Sequence, residues 1–469
     1  MVFSSNLFIF FFLPLTIWGY YFVGRRFQNV FLLIVSLVFF AWSQPQFVWV
    51  ILVSILVNYC GALFTSYFKQ RAVRRFGLVA TIGINLGLLF YFKYFNFVVD
   101  SINSLFETSF EIEQIVLPIG ISFFTFQGLS YVFDVYRKDV KVQKNPFKVA
   151  LYILCFPQLI AGPIVKYGDI ALQIDHRNVD LDNFVCGLER FIIGFAKKAV
   201  LSNSMAIVVD KIWERGVEQN TIAIAWLGAL CYTLQIYYDF SGYSDMAIGL
   251  GRIFGFHFNE NFNLPYISKS ITEFWRRWHI SLSTWFREYV YIPLGGNRKH
   301  VYLNLAIVFL LTGIWHGASW TFVVWGIWHG AFILIERFVK KNNLISSNRL
   351  LDILGNIYTL FVVGIGWVLF RAPNMNEAIH YIQTMFGMAL GEMPGFTVAY
   401  YLNKWNIFNI VVGILLATTI PAKIADKLKN ICSEKIYFIG KKMLLLLVFY
   451  FSLIRVVAGT YNPFIYFQF

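Results

Sequence analysis

FQNVFLLIVSLVFFAWSQPQFVWVILVSILVNYCGALFTSYF, residues 27–68, runs for 42 positions without a charged side chain. A helix needs about 20 mainly apolar residues to bridge a hydrocarbon core about 30 Å thick. The stretch therefore reads as two spans joined by a tight turn at Ser43-Gln44-Pro45-Gln46. Upstream, Met1 to Gly24 has no charge at all and no Lys or Arg before its apolar run, which predicts a retained span and not a cleavable signal peptide. Downstream comes the basic cluster Lys69, Arg71, Arg74 and Arg75. The whole chain repeats this character: of 469 residues, 58% are hydrophobic, 19% aromatic and 14% charged, with a mean hydropathy of +0.61. That balance excludes a water-soluble enzyme or a disordered chain and predicts an all-α polytopic integral membrane protein.

The net charge of +14 would suggest nucleic acid in a soluble protein. Here it is expected from cytoplasmic loops that gather Lys and Arg, so membrane lipids and not nucleic acid are the expected surroundings. Cys60, Cys155, Cys186, Cys231 and Cys432 are scattered in apolar sequence with no C-x-x-C pair, which argues against a disulfide frame or a thiolate metal site.

Placing Lys/Arg-rich loops inside puts Arg25, Arg26 and the 69–75 cluster in the cytoplasm and the N-terminus outside. Leu78 to Val99 then exits, and the outer loop that follows is acidic, with Asp100, Glu107, Glu111 and Glu113. Val116 to Phe133 returns to Arg137, Lys138, Lys141, Lys144 and Lys148; Lys93 near an outer end is a minor discord that snorkelling accommodates. Towards the C-terminus, Ile353 to Phe370 goes out, the loop from Arg371 to Lys404 stays out as a candidate docking surface, Trp405 to Ile420 returns, and Met443 to Gly459 crosses last. The chain thus reads as one integral membrane domain, 1–469: N-terminal spans (1–148), a core (149–340) and C-terminal spans (341–469). Between Val149 and His300, apolar runs are interrupted by Pro157, Pro163, Asp239, Asp245, Arg252 and residues 259–263, which predicts re-entrant or broken helices shielded by protein or lining a cavity. Function is expected there.

Within that core, Ser270-Ile271-Thr272-Glu273 fits a capping box. Ile271, Phe274, Trp275, Trp278, Leu282, Trp285, Phe286 and Tyr289 then recur at helical spacing, opposite an arc containing Arg276, Arg277, His279 and Arg287. The pattern predicts one amphipathic helix. Such a helix can lie at the cytoplasmic interface among headgroups. Its guanidinium groups can equally hold phosphates and its tryptophans stack on a ring such as adenine. Trp275, Arg276, Trp278 and Arg287 are therefore candidate donor-binding residues, joined by Asp239 from the interrupted stretch.

Val301 to Trp315 and Trp320 to Ile335 are apolar, separated by His316-Gly317-Ala318-Ser319 and bracketed by Arg298, Lys299 and Arg337, Lys340, Lys341. This predicts a hairpin with both ends inside. His316 would stand about 23 Å above Val301 at 1.5 Å per residue, past the middle of the hydrocarbon. An ionisable side chain at that depth is a functional candidate, with interhelical glue as the competing role; for His329 the glue role is favoured. No H-E-x-x-H occurs and no carboxylate lies within a turn of either histidine, so no metal is expected. A buried neutral imidazole can take the proton of a hydroxyl attacking a carbonyl, which is general-base acyl transfer. No nucleophile motif such as G-x-S-x-G is present, so direct transfer or a short-lived acyl-histidine would follow.

LPIGISFFTFQGLSYVFDVYR from Leu117, FPQLIAGPIVKY from Phe156, QIYYDFSGYSDMAIGLGRIFGFHFNENFNLPY from Gln235, EFWRRWHISLSTWFREYVYIPLGGNR from Glu273 and TGIWHGASWTFVVWGIWHG from Thr312 resemble the membrane-bound O-acyltransferase family. Their spellings are similar to its bacterial branch that acetylates alginate and peptidoglycan. The resemblance implies about 11 transmembrane helices, with re-entrant and amphipathic helices, around a central tunnel. It places the catalytic histidine on His316 and the second signature position on His279. It implies acetyl-CoA as cytoplasmic donor with no permanently bound cofactor, an inner-membrane location, and an extracytoplasmic acetyltransferase partner acting on a polysaccharide. A D-alanyl or other acyl thioester on a carrier protein is the alternative donor. A secondary transporter is a remote alternative, since it would show internal repeats and none is visible.

Overall fold

The computed structural model describes residues 2–216, 219–342, 349–389, 397–459 and 465. Every regular element among them is helical. The 42-residue uncharged stretch forms α2 (Gln28–Ser43) and α3 (Val48–Tyr67), parted by a tight turn over Pro45–Phe47, as the sequence predicts. Before them lies α1 (Phe8–Phe22) and after them α4 (Arg71–Phe106), which contains a π-helical turn at Phe90–Tyr94. Then come α5 (Ile121–Arg137), α6 (Pro146–Leu154) and α7 (Tyr167–Asp175). Two long helices follow, α8 (Leu181–Trp213) and α9 (Ile222–Ile253). Next are α10 (Ile271–Arg277), α11 (Ile280–Phe286), α12 (Val301–His316), α13 (Trp320–Lys341) and α14 (Arg349–Arg371). The chain closes with α15 (Met375–Met385), α16 (Lys404–Leu416), α17 (Ile420–Ile431) and α18 (Glu434–Ala458).

Among the described residues, five helices are long and apolar enough to cross a membrane: 45–67, 71–106, 181–213, 320–341 and 352–371. The pair α16 and α17, bent by 75°, makes a sixth if it counts as one span. Helices α1, α2 and α12 are apolar but only 10–17 residues long. At 1.5 Å per residue, α12 reaches about 24 Å, short of a full hydrocarbon core. Part of the candidate docking loop, residues 390–396, lies outside the described residues, as do stretches of the 341–469 region.

The chain packs as two compact units, Met1–Phe191 with Ser244–Asn259 and Ile192–Tyr243 with Glu260–Ile465. In the first, Asn58 on α3 and Asn85 on α4 exchange amide hydrogen bonds of 3.0 and 3.2 Å in a buried setting. Such reciprocal pairs hold helices together where no water can satisfy the amides. In the second, α12 and α13 form the expected hairpin. A Cβ on Gly313 would lie 2.4 Å from the Phe322 carbonyl oxygen and one on Gly326 2.5 Å from that of Phe309, so glycine at both positions permits the close crossing.

One expectation is corrected. The broken helices predicted for 149–300 occur before residue 176 and after residue 253, but between them α8, with a π-helical turn at Lys197–Ser202, and α9 each run on as a continuous helical stretch. Asp239 and Asp245 do not interrupt α9, because each carboxylate meets a cation from α8. Lys198 Nζ lies 2.5 Å from Asp239 Oδ1, with side chains 1% and 0% exposed. Arg190 Nη2 lies 2.7 Å from Asp245 Oδ1. Glycines make the approach possible within each unit: a Cβ on Gly249 would sit 2.6 Å from the Gly187 carbonyl oxygen, and one on Gly242 2.8 Å from that of Gly194.

Candidate functional site

His316 is the last residue of α12. The chain then turns through residues 317–319, and Ser319 caps α13 by accepting from the Thr321 N–H at 3.3 Å. The hairpin turn thus falls where the sequence predicts it. The His316 side chain is 1% exposed. Its ring lies 4.9 Å from that of Trp315, 4.9 Å from that of Trp325 and 5.2 Å from that of Phe370 on α14, all edge-on. The His279 ring is 6.5 Å away. The two histidines singled out from the sequence are therefore neighbours.

The single amphipathic helix expected from Ser270 to Tyr289 is instead two short helices with His279 at the break, followed by a π-helical turn at Arg287–Tyr291. The Ser270 leg of the capping box is present, accepting from the Glu273 N–H at 3.0 Å. Glu273 reaches the Lys269 N–H at 3.0 Å and pairs with Arg277 at 2.9 Å. His279 takes the left-handed conformation, φ 45° and ψ 55°. That conformation costs a non-glycine residue about 1 kcal/mol or more and persists only where surrounding contacts impose it. Asn261 imposes it. Its backbone carbonyl accepts from the Ile280 N–H at 3.0 Å. Its side-chain Oδ1 accepts from the Ser281 N–H at 3.2 Å and the Ser281 hydroxyl at 2.9 Å.

This arrangement settles the tautomer of His279. An amide oxygen only accepts, so His279 Nδ1, 3.2 Å from Asn261 Oδ1, must carry the proton and donate it. Nε2 is then the acceptor nitrogen, buried and without a hydrogen-bond partner among the described residues. His279 lies outside every candidate span. Burial pushes its imidazole down to about 3, leaving the ring neutral. Phe240 closes one side, edge-on at 4.6 Å.

His329 on α13 accepts at Nδ1 from the Trp275 indole N–H at 3.4 Å. Its Nε2 faces Gly366, where a Cβ would come within 2.7 Å. Trp325 lies between the two hairpin histidines, 4.9 Å from His316 and 5.0 Å from His329. Trp275 and Trp278 are buried. Trp278 stacks on Phe274 at 5.5 Å, and Trp275 meets Trp325 at 5.6 Å, so both belong to this aromatic cluster. Arg276 and Arg287 point to the exterior. Asp239 is engaged by Lys198 and accepts from the Ile465 N–H at 3.0 Å. The structure brings together His316, His279, Trp275 and Trp278, and leaves the two arginines on the surface.

Two further residues escape the sequence reading. Asn261 lies 18 positions before His279, in a loop with no periodicity to link them. Glu336, near the end of α13, receives the free N–H groups at the start of α10: Ile271 at 2.5 Å and Thr272 at 2.9 Å, with the Thr272 hydroxyl at 2.6 Å. A carboxylate at a helix N-terminus satisfies otherwise unpaired donors. It ties the segment carrying His279 to the hairpin carrying His316. The only signal in sequence was an acid among cations.

A helical membrane chain that sets two buried imidazoles side by side at a hairpin turn, one with an acceptor nitrogen that has no hydrogen-bond partner among the described residues, has the parts of an acyl-transfer enzyme. The comparisons place it more closely: residues 121–371 match the membrane-bound O-acyltransferase family, and the chain belongs to that family and is an acyltransferase. It is 43% identical over 425 residues to the probable alginate O-acetylase AlgI of Pseudomonas aeruginosa, covering 89% of this chain and 79% of that one. To the probable alginate O-acetylase AlgI of Pseudomonas putida it is 40% identical, with both chains covered in full. To the peptidoglycan O-acetyltransferase of Helicobacter pylori it is 36% identical, over 83% of this chain and 80% of that one.

Proposed function

We propose that this protein takes acetyl from cytoplasmic acetyl-CoA and passes it across the membrane for O-acetylation of an extracytoplasmic polysaccharide. The observation behind the mechanism is the His316–His279 pair, ring centroids 6.5 Å apart, with His279 Nε2 left as an acceptor. The similarity to alginate and peptidoglycan acetylating enzymes supports the acetyl group and the polysaccharide. About 11 crossings, counting the short apolar helices as parts of spans, and a central tunnel complete the reading. The basic loops at 25–26 and 69–75 would face the cytoplasm and the N-terminus would lie outside, in the inner membrane.

In the transfer, the acceptor hydroxyl oxygen attacks the thioester carbonyl while a neutral imidazole takes its proton. The C–S bond breaks and the proton passes to the departing thiolate. His316 is the base that takes this proton, and His279, fixed beside it with Nε2 open, orients the acceptor by accepting a hydrogen bond from a second donor group of that molecule. Trp315, Trp325 and Phe370 cover His316, so their side chains would have to part for donor and acceptor to meet there. Transfer to the polysaccharide would be completed by an extracytoplasmic acetyltransferase partner, docked on the loop between Arg371 and Lys404.

The test is protein reconstituted in liposomes and supplied with radiolabelled acetyl-CoA or with an acyl-loaded carrier protein. Label transferred from acetyl-CoA by wild type and lost in His316→Ala, with unchanged insertion, is expected. Transfer from the carrier alone would replace the donor, and normal acetyl transfer by His316→Ala would remove the mechanism.

A further inference from the structure

In the first unit, the α1–α2 connection and the chain leaving α7 border an open cavity of about 400 Å³, lined by Arg25, Gln28, Asn29, Asp175, His176 and Arg177 among others. The acyl-transfer site uses none of these residues. Arg177 is held rigidly: its Nε donates to the Tyr20 hydroxyl at 3.0 Å, and its guanidinium carbon lies 4.5 Å from the centre of the Phe256 ring. Its Nη1 is buried yet has no hydrogen-bond partner among the described residues. No ion pair is formed by Arg177 or Arg25 among the described residues, because the one acid in the lining, Asp175, is taken by Lys148. Asn29 is anchored by donating to the Ile174 carbonyl at 2.9 Å. Two guanidinium groups without an ion pair among the described residues, one of them held in place by Tyr20 and Phe256, match the planar fork that grips phosphate oxygens.

We propose that this cavity is a binding site for a phosphate group, presented by a soluble phosphorylated ligand or by a phospholipid headgroup. A rigid guanidinium supplies orientation, and Arg25 at the rim supplies a second charge without disturbing packing. Because the site neither contains nor contacts the paired histidines, it stands or falls separately from the acyl-transfer reading.

The experiment uses the full-length protein with two probes. Inorganic pyrophosphate is titrated by calorimetry, and phosphatidylglycerol retained from mixed phosphatidylglycerol–phosphatidylcholine vesicles is counted by native mass spectrometry. Arg25→Gln and Arg177→Gln are compared with wild type. Loss of a charge-assisted contact should weaken the bound probe about tenfold or more in each variant. Loss confined to pyrophosphate identifies a soluble phosphate ligand, and loss confined to phosphatidylglycerol identifies a headgroup. Should Arg177→Gln misfold on size exclusion, Arg25→Gln decides alone, since its side chain is exposed. Wild-type binding of both probes by the folded variants, or no binding of either probe by wild type, overturns the proposal. Neither probe carries an acyl thioester, so failure of acetyl transfer would leave this result intact.

Discussion

Asn261 decides what His279 can do. With its Oδ1 already accepting two donors from Ser281, it forces the Nδ1–H tautomer and leaves Nε2 as the acceptor. Nitrogen NMR of histidine-labelled protein should show His279 protonated at Nδ1, its signal assigned by loss in His279→Ala; a protonated Nε2 would refute the arrangement. Asn261→Leu should cut acetyl transfer at least tenfold, while Asn261→Asp, which can still accept from Nδ1–H, should recover part of it. The carboxylate in Asn261→Asp favours the imidazolium, so the pKa of His279 rises from its low buried value. The neutral ring is then lost as pH falls through that raised pKa, and the acid limb of the pH–rate profile should move to higher pH. For His316→Ala the loss should be about 10²- to 10⁴-fold, the usual contribution of a general base, read as label transferred from acetyl-CoA. His316 could be found in the sequence because a histidine that ends a long apolar run is conspicuous. Asn261 could not, since a loop amide gives no sign of the distant ring it will meet.

Among the elements, the segment carrying His279 owes its position to a contact from another helix. Glu336 satisfies the opening N–H groups of α10, and removing its carboxylate leaves them without that acceptor. Glu336→Ala should therefore cost about 1–3 kcal/mol, seen as a lower Tm in detergent, and should reduce acetyl transfer by loosening His279 relative to His316. An unchanged Tm and rate would show that water or a neighbouring side chain replaces the clamp. The Ser270 cap and the Glu273–Arg277 pair were legible because they rest on neighbours in sequence, although Glu273 reaches the Lys269 N–H and not that of Ser270. The break at His279 was not, because apolar spacing continues through it and no glycine or proline marks the left-handed residue. The long course of α9 was misjudged for a related reason: an aspartate reads as an interruption until the lysine that neutralises it is seen.

For the molecule as a whole, buried charges in a low-dielectric setting must be paired to be tolerated. Lys198→Met leaves Asp239 buried without its cation and should destabilise by about 3–5 kcal/mol, whereas Lys198→Met with Asp239→Leu should be much milder. Thermal melts of the single and double variants test this, and equal losses in both would mean that the pair is not what holds these helices together. Composition alone determined that the chain is helical and lives in a membrane, because about 20 apolar residues in a row have no other stable fate. The hairpin and the histidine that ends its first helix were equally legible in local sequence, through two apolar runs and a polar turn. The choice of histidine partners, the tautomer of His279, the clamp by Glu336 and the neutralisation of Asp239 were decided by tertiary structure. Each depends on a side chain meeting a group far along the chain, and hydropathy and spacing carry no information about which distant residue will complete a hydrogen bond or cancel a charge.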